Sequence, residues 1–328
     1  MAAVAAEAGV SQQTVSRVIN DHPSVSPKTR QKVLNAIASV GYRPNLAARA
    51  LVTGNSQTIG LLVSTTTLSG PSGAMLAIEQ TARAGGYWVS MASLQRGTAD
   101  EVADVVAHFA RQGVDGIIAV AQTQVAVDAT LRAVGSMPRV LVTSGAVPRG
   151  NCSVDIDQSE GVTQLMTILR GLGHSRIAHL SGPPGDLHSE ARAVAWRAAL
   201  PSGTKPVELQ GDWSSGSGYR AAMALLASGE IPTAIFAAND RMAFGVLRAL
   251  HERSLRVPED VSVAGFDDIE GSDCSIPPLT TIRQDHDALG KAAMELLLAA
   301  MDDQPARSEK IRGQLIVRDS TAVPRPDA

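Results

Sequence analysis

The sequence predicts a small all-α head followed by a larger α/β body of two lobes built on parallel sheets. Three observations predict this. A chain of 328 residues exceeds what one hydrophobic core usually serves, so several cores are expected. Up to residue 56 the apolar residues recur only at helical spacings. From residue 57 short apolar runs alternate with helical stretches, the pattern of parallel strands covered by helices.

In the head, Val4, Ala5 and Ala8 form a short alanine-rich helical pattern that Gly9 interrupts. After Val10, Ser11 is an N-cap residue whose oxygen can accept from the amide near Thr14, so the chain reads helix, tight turn, helix. In the second helix Val15, Val18 and Ile19 fall at i, i+3 and i+4 as a buried stripe, which turns Gln12, Gln13, Ser16, Arg17 and Asn20 outwards. Glutamine can pair with adenine, arginine with guanine, and Ser or Thr with phosphate, so this face suits a DNA major groove. An amphipathic hairpin with a solvated face has the same periodicity. A third helix is expected from the Ser26 cap, with Pro27 in first position, an apolar set of Val33, Ile37 and Val40, and a stop at Gly41. Asn45 can then cap a helix of about two turns, marginal alone, before the linker-like Thr53-Gly54-Asn55-Ser56.

The run Val4-Ala5-x-x-Ala8-Gly9-Val10-Ser11-x-x-Thr14-Val15-Ser16-Arg17-Val18-x-Asn20 closely resembles the DNA-binding signature of the LacI/GalR repressor family. That resemblance implies a helix-turn-helix in which Ser11, Gln12, Gln13, Thr14, Ser16, Arg17 and Asn20 face DNA, with Gln12, Gln13 and Arg17 reading bases. It also makes the segment capped by Asn45 a hinge helix. Leu51 would then wedge into the minor groove, with Ala48 as the small contact residue; alternatively Leu51 packs on the core. Family members carry several more residues before the position of Val4, including a threonine cap, so the expectation is a start upstream of Met1 or weakened DNA binding.

In the body the expected strands are Ile59 to Val63, Trp88 to Met91, Gly116 to Val120, Val140 to Thr143, Ile177 to Leu180, Ala234 to Ala237 and Val261 to Gly265. Ligands of open parallel sheets sit beyond the carboxyl ends of the strands. Ser64, Asn239-Asp240 and Asp267-Asp268 stand at such ends. A sugar hydroxyl donates and accepts, so a carboxylate, an amide and a guanidinium, with an aromatic over the ring face, would form a selective site. Arg192 and Trp213 supply the last two. Taken singly, Asn239-Asp240 also reads as a turn, Trp213 as core and Arg192 as surface charge.

The family resemblance extends over nearly the whole chain. It rests further on Gly211-Asp212-Trp213-Ser214, on Pro232-Thr233-Ala234 leading to Ala238-Asn239-Asp240-x-Met242-Ala243-x-Gly245, and on Ser272-x-Cys274-x-Ile276-Pro277-Pro278-Leu279-Thr280-Thr281-Ile282-x-Gln284-Asp285. It implies a core like that of periplasmic binding proteins, with Arg192, Asn239 and Asp267 as sugar-hydroxyl ligands and Ser64, Leu68, Pro71, Trp213 and Gln284 as pocket walls. Implied boundaries are 1–44 for the DNA-binding domain, 45–56 for hinge helix and linker, 57–323 for the effector-binding and dimerisation core, and 324–328 for a tail. Within the core the N-lobe takes about 57–156 and 286–313, the C-lobe about 157–285 and 314–323. Two positions depart from a galactoside-binding pattern: Thr143 stands where an aspartate is expected and His286 where a phenylalanine is. The ligand need not be a galactoside.

Charge supports the division. Residues 1–56 hold six basic side chains against Glu7 and Asp21, about +4, which leaves about -7 of the net -3 on the remainder. A basic head on an acidic body suits a protein that touches phosphate with one end. Cys152 and Cys274 form no CxxC or Cys/His spacing, so neither a disulfide framework nor zinc is expected, and no cofactor is called for. No apolar run of about 18 residues and no leader-like segment occurs, which points to the cytoplasm and away from membranes. An enzyme is the first rival reading, through the paired Asp267-Asp268, and a secreted sugar-binding protein the second. There is no GxSxG or P-loop, and Gly216-x-Gly218-x-x-Ala221 follows no strand, so its likeness to a dinucleotide fingerprint fails. The expected molecule is a homodimer on a pseudo-palindromic double-stranded DNA operator, released by a small carbohydrate in the inter-lobe cleft; the opposite sign, with ligand promoting binding, also occurs in the family. After Ser320 no heptad pattern remains for a tetramerisation helix.

Overall fold

The structure, a computed structural model, describes residues 1–19, 22–42, 55–64 and 69–325. The expected contacts Asn20, Asn45, Ala48, Leu51 and Leu68 therefore lie outside the described residues, as does the hinge helix. Two compact units are present, Met1–Ser56 and Gln57–Ala328.

The first unit holds α1 (Ala2–Ala8), α2 (Gln12–Ile19) and α3 (Pro27–Val40). Gly9 ends α1 in the left-handed conformation at φ 61°, where a side chain would be strained, and so allows the tight turn into α2. Ser11 Oγ accepts from the Thr14 amide at 3.1 Å and Ser26 Oγ from Thr29 at 3.3 Å, so both caps are formed. Val4, Ala5, Ala8, Val15, Val18, Val33 and Ala36 close one core, with Ile19 and Ile37 packed against it. Val40 does not join the expected apolar set: as the last residue of α3 it is 41% exposed, and Ala36 takes the buried place.

The second unit has two lobes. The first is β1 (Thr58–Val63), α4 (Ser69–Ala84), β2 (Trp88–Ser93), α5 (Ala99–Gln112), β3 (Gly116–Val120), α6 (Gln124–Val134), β4 (Arg139–Val142) and β5 (Cys152–Ile156). The chain crosses to the second lobe with α7 (Gln158–Gly171), β6 (Ile177–Ser181), α8 (Leu187–Ala199), β7 (Glu208–Gln210), α9 (Ser215–Ala227), β8 (Ala234–Ala237), α10 (Asp240–Glu252), β9 (Ser262–Ala264) and β10 (Thr281–Arg283). It returns through α11 (His286–Met301) and β11 (Ser308–Ile311), then crosses again to β12 (Gln314–Ile316).

The first lobe carries an all-parallel sheet in the order β11-β5-β4-β3-β1-β2, the second a parallel sheet β7-β6-β8-β9, and β10 pairs antiparallel with β12. The central strands of each sheet are buried on both faces, which explains their near-continuous apolar runs. In the first lobe Ile59, Leu61 and Val63 face α4 and α11 residues such as Ile78, Ala293 and Met294, while Leu62, Ile117 and Leu141 face Phe109 and Val127. In the second lobe Leu180, Ile235 and Val263 face α9 and α10, while Phe236, Ala264 and Trp196 close the side covered by α7 and α8.

Two expectations shift. The run Trp88 to Met91 becomes an edge strand extended to Ser93, so Trp88 is 63% and Met91 53% exposed. The run Val140 to Thr143 shifts by one residue to β4, and the run Val261 to Gly265 shortens to β9. The crossings are tied together, since the Asp157 amide donates to the Ile311 carbonyl at 2.8 Å and Gln164 Nε2 to the Gly313 carbonyl at 3.0 Å.

Candidate functional site

On the first unit, Ser11, Gln12, Gln13 and Arg17 are on one side of α2 with Thr14 and Ser16 beside them; Ser11, Gln12 and Gln13 are exposed. Burial of Val15 and Val18 fixes that orientation. The result is a polar helix face with a cation, of a size and chemistry that enters a major groove.

On the second unit, the carboxyl ends of the strands in both lobes meet at a small cavity of about 30 Å³ lined by Gly70, Pro71, Gln122, His188, Arg192, Trp213, Asn239 and Asp267. Arg192, on α8, is buried, and its guanidinium lies 3.7 Å from the centroid of the Phe266 ring. Its Nη2 stands 3.4 Å from Asp267 Oδ1, Nε donates to Gln158 Oε1 at 2.8 Å, and Nη1 donates to the Ala238 carbonyl. Burial pushes the Asp267 carboxyl up and the Arg192 guanidinium down; their mutual attraction offsets part of that, and arginine keeps its proton. Gln284 Nε2 donates to the same Asp267 oxygen at 2.6 Å.

The backbone around these groups is strained: Asp267 has φ 114° and Trp213 φ 71°. Residues held this way cost on the order of 1 to 3 kcal/mol each and concentrate at ligand sites. Gly182 makes room for the indole, since a Cβ there would stand 2.4 Å from it. Trp213 Nε1 is buried without a hydrogen-bond partner. Asn239 caps α10, accepting from the Met242 amide at 2.9 Å and donating to the Trp213 carbonyl at 3.1 Å, so it shapes the wall as well as lining it. Behind it Asp240 is fully buried, accepts from Ser272 Oγ and Thr281 Oγ1, and is pushed up to about 7 by burial and the neighbouring Asp267 charge.

Of the residues expected at a pocket, Arg192, Trp213, Asn239, Asp267 and Pro71 line the cavity, and Gln284 reaches it through Asp267. Ser64 is not among the lining residues; its Oγ donates to the Val120 carbonyl at 3.0 Å and accepts from the Gln122 amide at 3.4 Å. His286 packs on α4 instead, where a Cβ on Gly73 would come within 2.4 Å of its ring. Thr143 Oγ1 accepts from the Gly145 amide at 3.0 Å.

Sequence reasoning missed Gln122, His188 and Gly70. His188 precedes Arg192 by four residues, one helical turn, and that spacing alone places both on one face of α8. Gln122 follows β3 at its carboxyl end, where ligand groups are expected. Asp267 and Asp268 do not form a catalytic pair, because Asp268 turns away to Arg283 at 2.6 Å and Arg318 at 2.8 Å.

Residues 1–45 match the family model of the bacterial regulatory proteins, lacI family, and residues 167–321 that of a periplasmic binding protein-like domain. The lactose operon repressor of Escherichia coli (strain K12) is 37% identical over 98% of this chain and 89% of its own length. The chain belongs to the lacI family. A crystal structure of the lac repressor dimer bound to operator and the anti-inducer ONPF matches it with TM-score 0.89 at 36% identity, over 97% of this chain and 98% of that one. A complex of the transcriptional regulator CelR with cellobiose matches with TM-score 0.72 at 30% identity, over 97% and 98%. The protein is thus a DNA-binding transcription repressor of the lacI family, with a helix-turn-helix unit and an α/β core of parallel sheets. Among the described residues no helix is long and apolar enough to cross a membrane.

Proposed function

We propose that this lacI-family repressor controls sugar-utilisation genes: it binds a pseudo-palindromic operator as a homodimer and leaves it when a small carbohydrate occupies the inter-lobe cavity. The observation that carries the effector half is the buried Arg192–Asp267 pair, which shares its cavity with Asn239 and with an indole N–H that has no partner. Groups that donate and accept around an aromatic wall match the two-way hydrogen bonding of sugar hydroxyls. The lac repressor in its operator complex is a dimer, and CelR holds cellobiose, which supports the same roles here. Exposed Leu76, Trp88, Met91 and Ile276 offer apolar surface that a second copy would bury.

Operator recognition is assigned to Gln12, Gln13 and Arg17, with Thr14, Ser16 and Asn20 near phosphates and Ser11 facing the DNA beside them. Asn45, Ala48 and Leu51 are assigned to the central minor groove. Arg17→Ala is expected to abolish discrimination between operator and random DNA, and Leu51→Ala to weaken specific binding more than non-specific binding; titration of both DNAs at fixed salt measures each.

Thermal-shift screening against mono- and disaccharides tests the effector half, because a ligand at about 100 times its dissociation constant stabilises the fold by about 2.7 kcal/mol. Asp267→Ala is expected to remove the shift and the ligand response while leaving operator affinity in place. A variant that still responded normally would remove Asp267 from the site.

A further inference from the structure

Besides Arg192, one other cationic side chain lines the cavity among the described residues: His188, in the first turn of α8. Its Nε2 lies 3.4 Å from Asp155 Oδ1, and Asp155 belongs to β5 of the opposite lobe. Asp155 is a buried carboxylate in a strand otherwise made of apolar and small residues, and its other oxygen accepts from Ser144 Oγ. Nearby, the Leu187 amide of the second lobe donates to the Gln122 carbonyl of the first at 2.9 Å. Imidazole and carboxylate therefore meet across the lobe boundary, in the wall of the ligand cavity.

The charges of this wall are matched. Arg192 is paired with Asp267, and His188 with Asp155. Asp186, also buried, caps α8 and adds another carboxylate beside them. Arg283 and Arg318 both close on Asp268 and are not among the residues that line the cavity. The partnerless Trp213 N–H is a neutral donor.

We propose that the effector is an uncharged carbohydrate, held between charge-paired donors and acceptors that include His188, which Asp155 positions from the opposite lobe. This rests on the cavity being the effector site. A phosphate or carboxylate on the ligand accepts hydrogen bonds but carries full negative charge, and stable capture needs surplus cations. Here it would meet Asp155, Asp186 and Asp267 with both cations already neutralised. A hydroxyl donates to a carboxylate and accepts from a guanidinium, imidazolium or indole, so it fits without disturbing either pair.

The groups facing His188 are Asp155 from β5, Asp186 and Arg192 on its own side, and Asp267 and His286 from other elements. Burial disfavours its charged form, but the Asp155 hydrogen bond and the Asp155 and Asp186 charges outweigh that and hold it above the usual histidine value. The imidazolium is therefore the form that Asp155 holds in the cavity wall, and affinity for a neutral sugar declines as the pH rises through that raised value and the ring loses its donated proton.

Isothermal titration of the full chain with cellobiose, lactose and galactose, each beside its 6-phosphate or uronic acid counterpart, tests this. The neutral member of a pair that binds is expected to bind on the order of 100-fold more tightly than its anionic partner. Asp155→Asn combined with Asp267→Asn frees two cations and should narrow that gap at least tenfold. His188→Gln should weaken the neutral sugar about tenfold and flatten the pH dependence. An anionic member that binds more tightly, with binding lost in Trp213→Ala, overturns the inference and leaves the cavity assignment standing. Neutral-sugar binding that Trp213→Ala leaves unchanged overturns the cavity assignment itself, and so does the absence of binding by every pair. A His188→Gln protein with unaltered affinity and pH profile removes His188 from the site.

Discussion

His179 lies at the centre of β6, stacked on Phe236 with ring centroids 4.7 Å apart and 5.1 Å from Trp196. Burial pushes it down to about 3, so it is neutral in the folded protein, and one ring nitrogen pairs with the Phe236 carbonyl at 3.0 Å. The unfolded chain takes up the proton near the ordinary value of about 6.5, so stability is intact above that pH and lost as the pH falls towards 3. The limb from this one residue approaches about 1.4 kcal/mol per pH unit. His179→Gln keeps a donor for the Phe236 carbonyl and cannot charge in this range, so chemical denaturation between about pH 6 and 4 should show a shallower slope than the parent. Equal slopes would mean that other groups govern acid unfolding. At this scale the candidate site was partly legible. Arg192, Trp213, Asn239 and Asp267 carry chemistry that stands out in the sequence, whereas nothing in the sequence marks Asp155 until the fold sets it against His188 from the other lobe.

Helices α9 and α10 show what an element needs beyond its periodicity. They cross so closely that a Cβ on Gly245 would lie 2.0 Å from the Ser215 carbonyl oxygen, and one on Gly218 2.2 Å from that of Met242. Gly245→Ala cannot relax by moving a side chain, because the obstacle is backbone, and is expected to cost about 3 kcal/mol or more by overpacking. At Gly216 the nearest obstacle is the end of the Arg220 side chain at 3.3 Å, so Gly216→Ala should be neutral or stabilise by up to about 1 kcal/mol through helix propensity. Urea denaturation of both variants checks the contrast. Of the Gly216-x-Gly218 pair, Gly218 thus serves helix packing and Gly216 does not. Most doubly buried strands were readable because burial repeats along the chain, but β5, buried throughout, was not, since Ser153 and Asp155 interrupt its apolar run. The short β7, β10, β11 and β12 were not readable either, because β7 and β11 lie at sheet edges and β10 and β12 form a two-stranded sheet from segments far apart in sequence.

At the scale of the whole molecule, the cavity lies in the unit spanning Gln57–Ala328 and the recognition helix in the unit spanning Met1–Ser56, so any control of DNA binding by ligand is a coupling between separate sites. Such coupling is a free energy, typically about 1 to 3 kcal/mol, and must be reciprocal. If a carbohydrate weakens operator affinity by some factor, saturating operator must weaken carbohydrate affinity by that same factor. The second half can be read from calorimetric titrations of sugar into free and operator-bound protein, the first from operator titrations with and without sugar. Asp267→Ala should erase both shifts together, since it removes the ligand contact from which the coupling begins. A chain lacking residues 1–56 should keep the sugar affinity of the free protein, because every described residue lining the cavity follows that point. Shifts that persist in Asp267→Ala would show that the sugar acts on DNA binding by some route other than the cavity, and the Arg192–Asp267 pair would then lose its regulatory role.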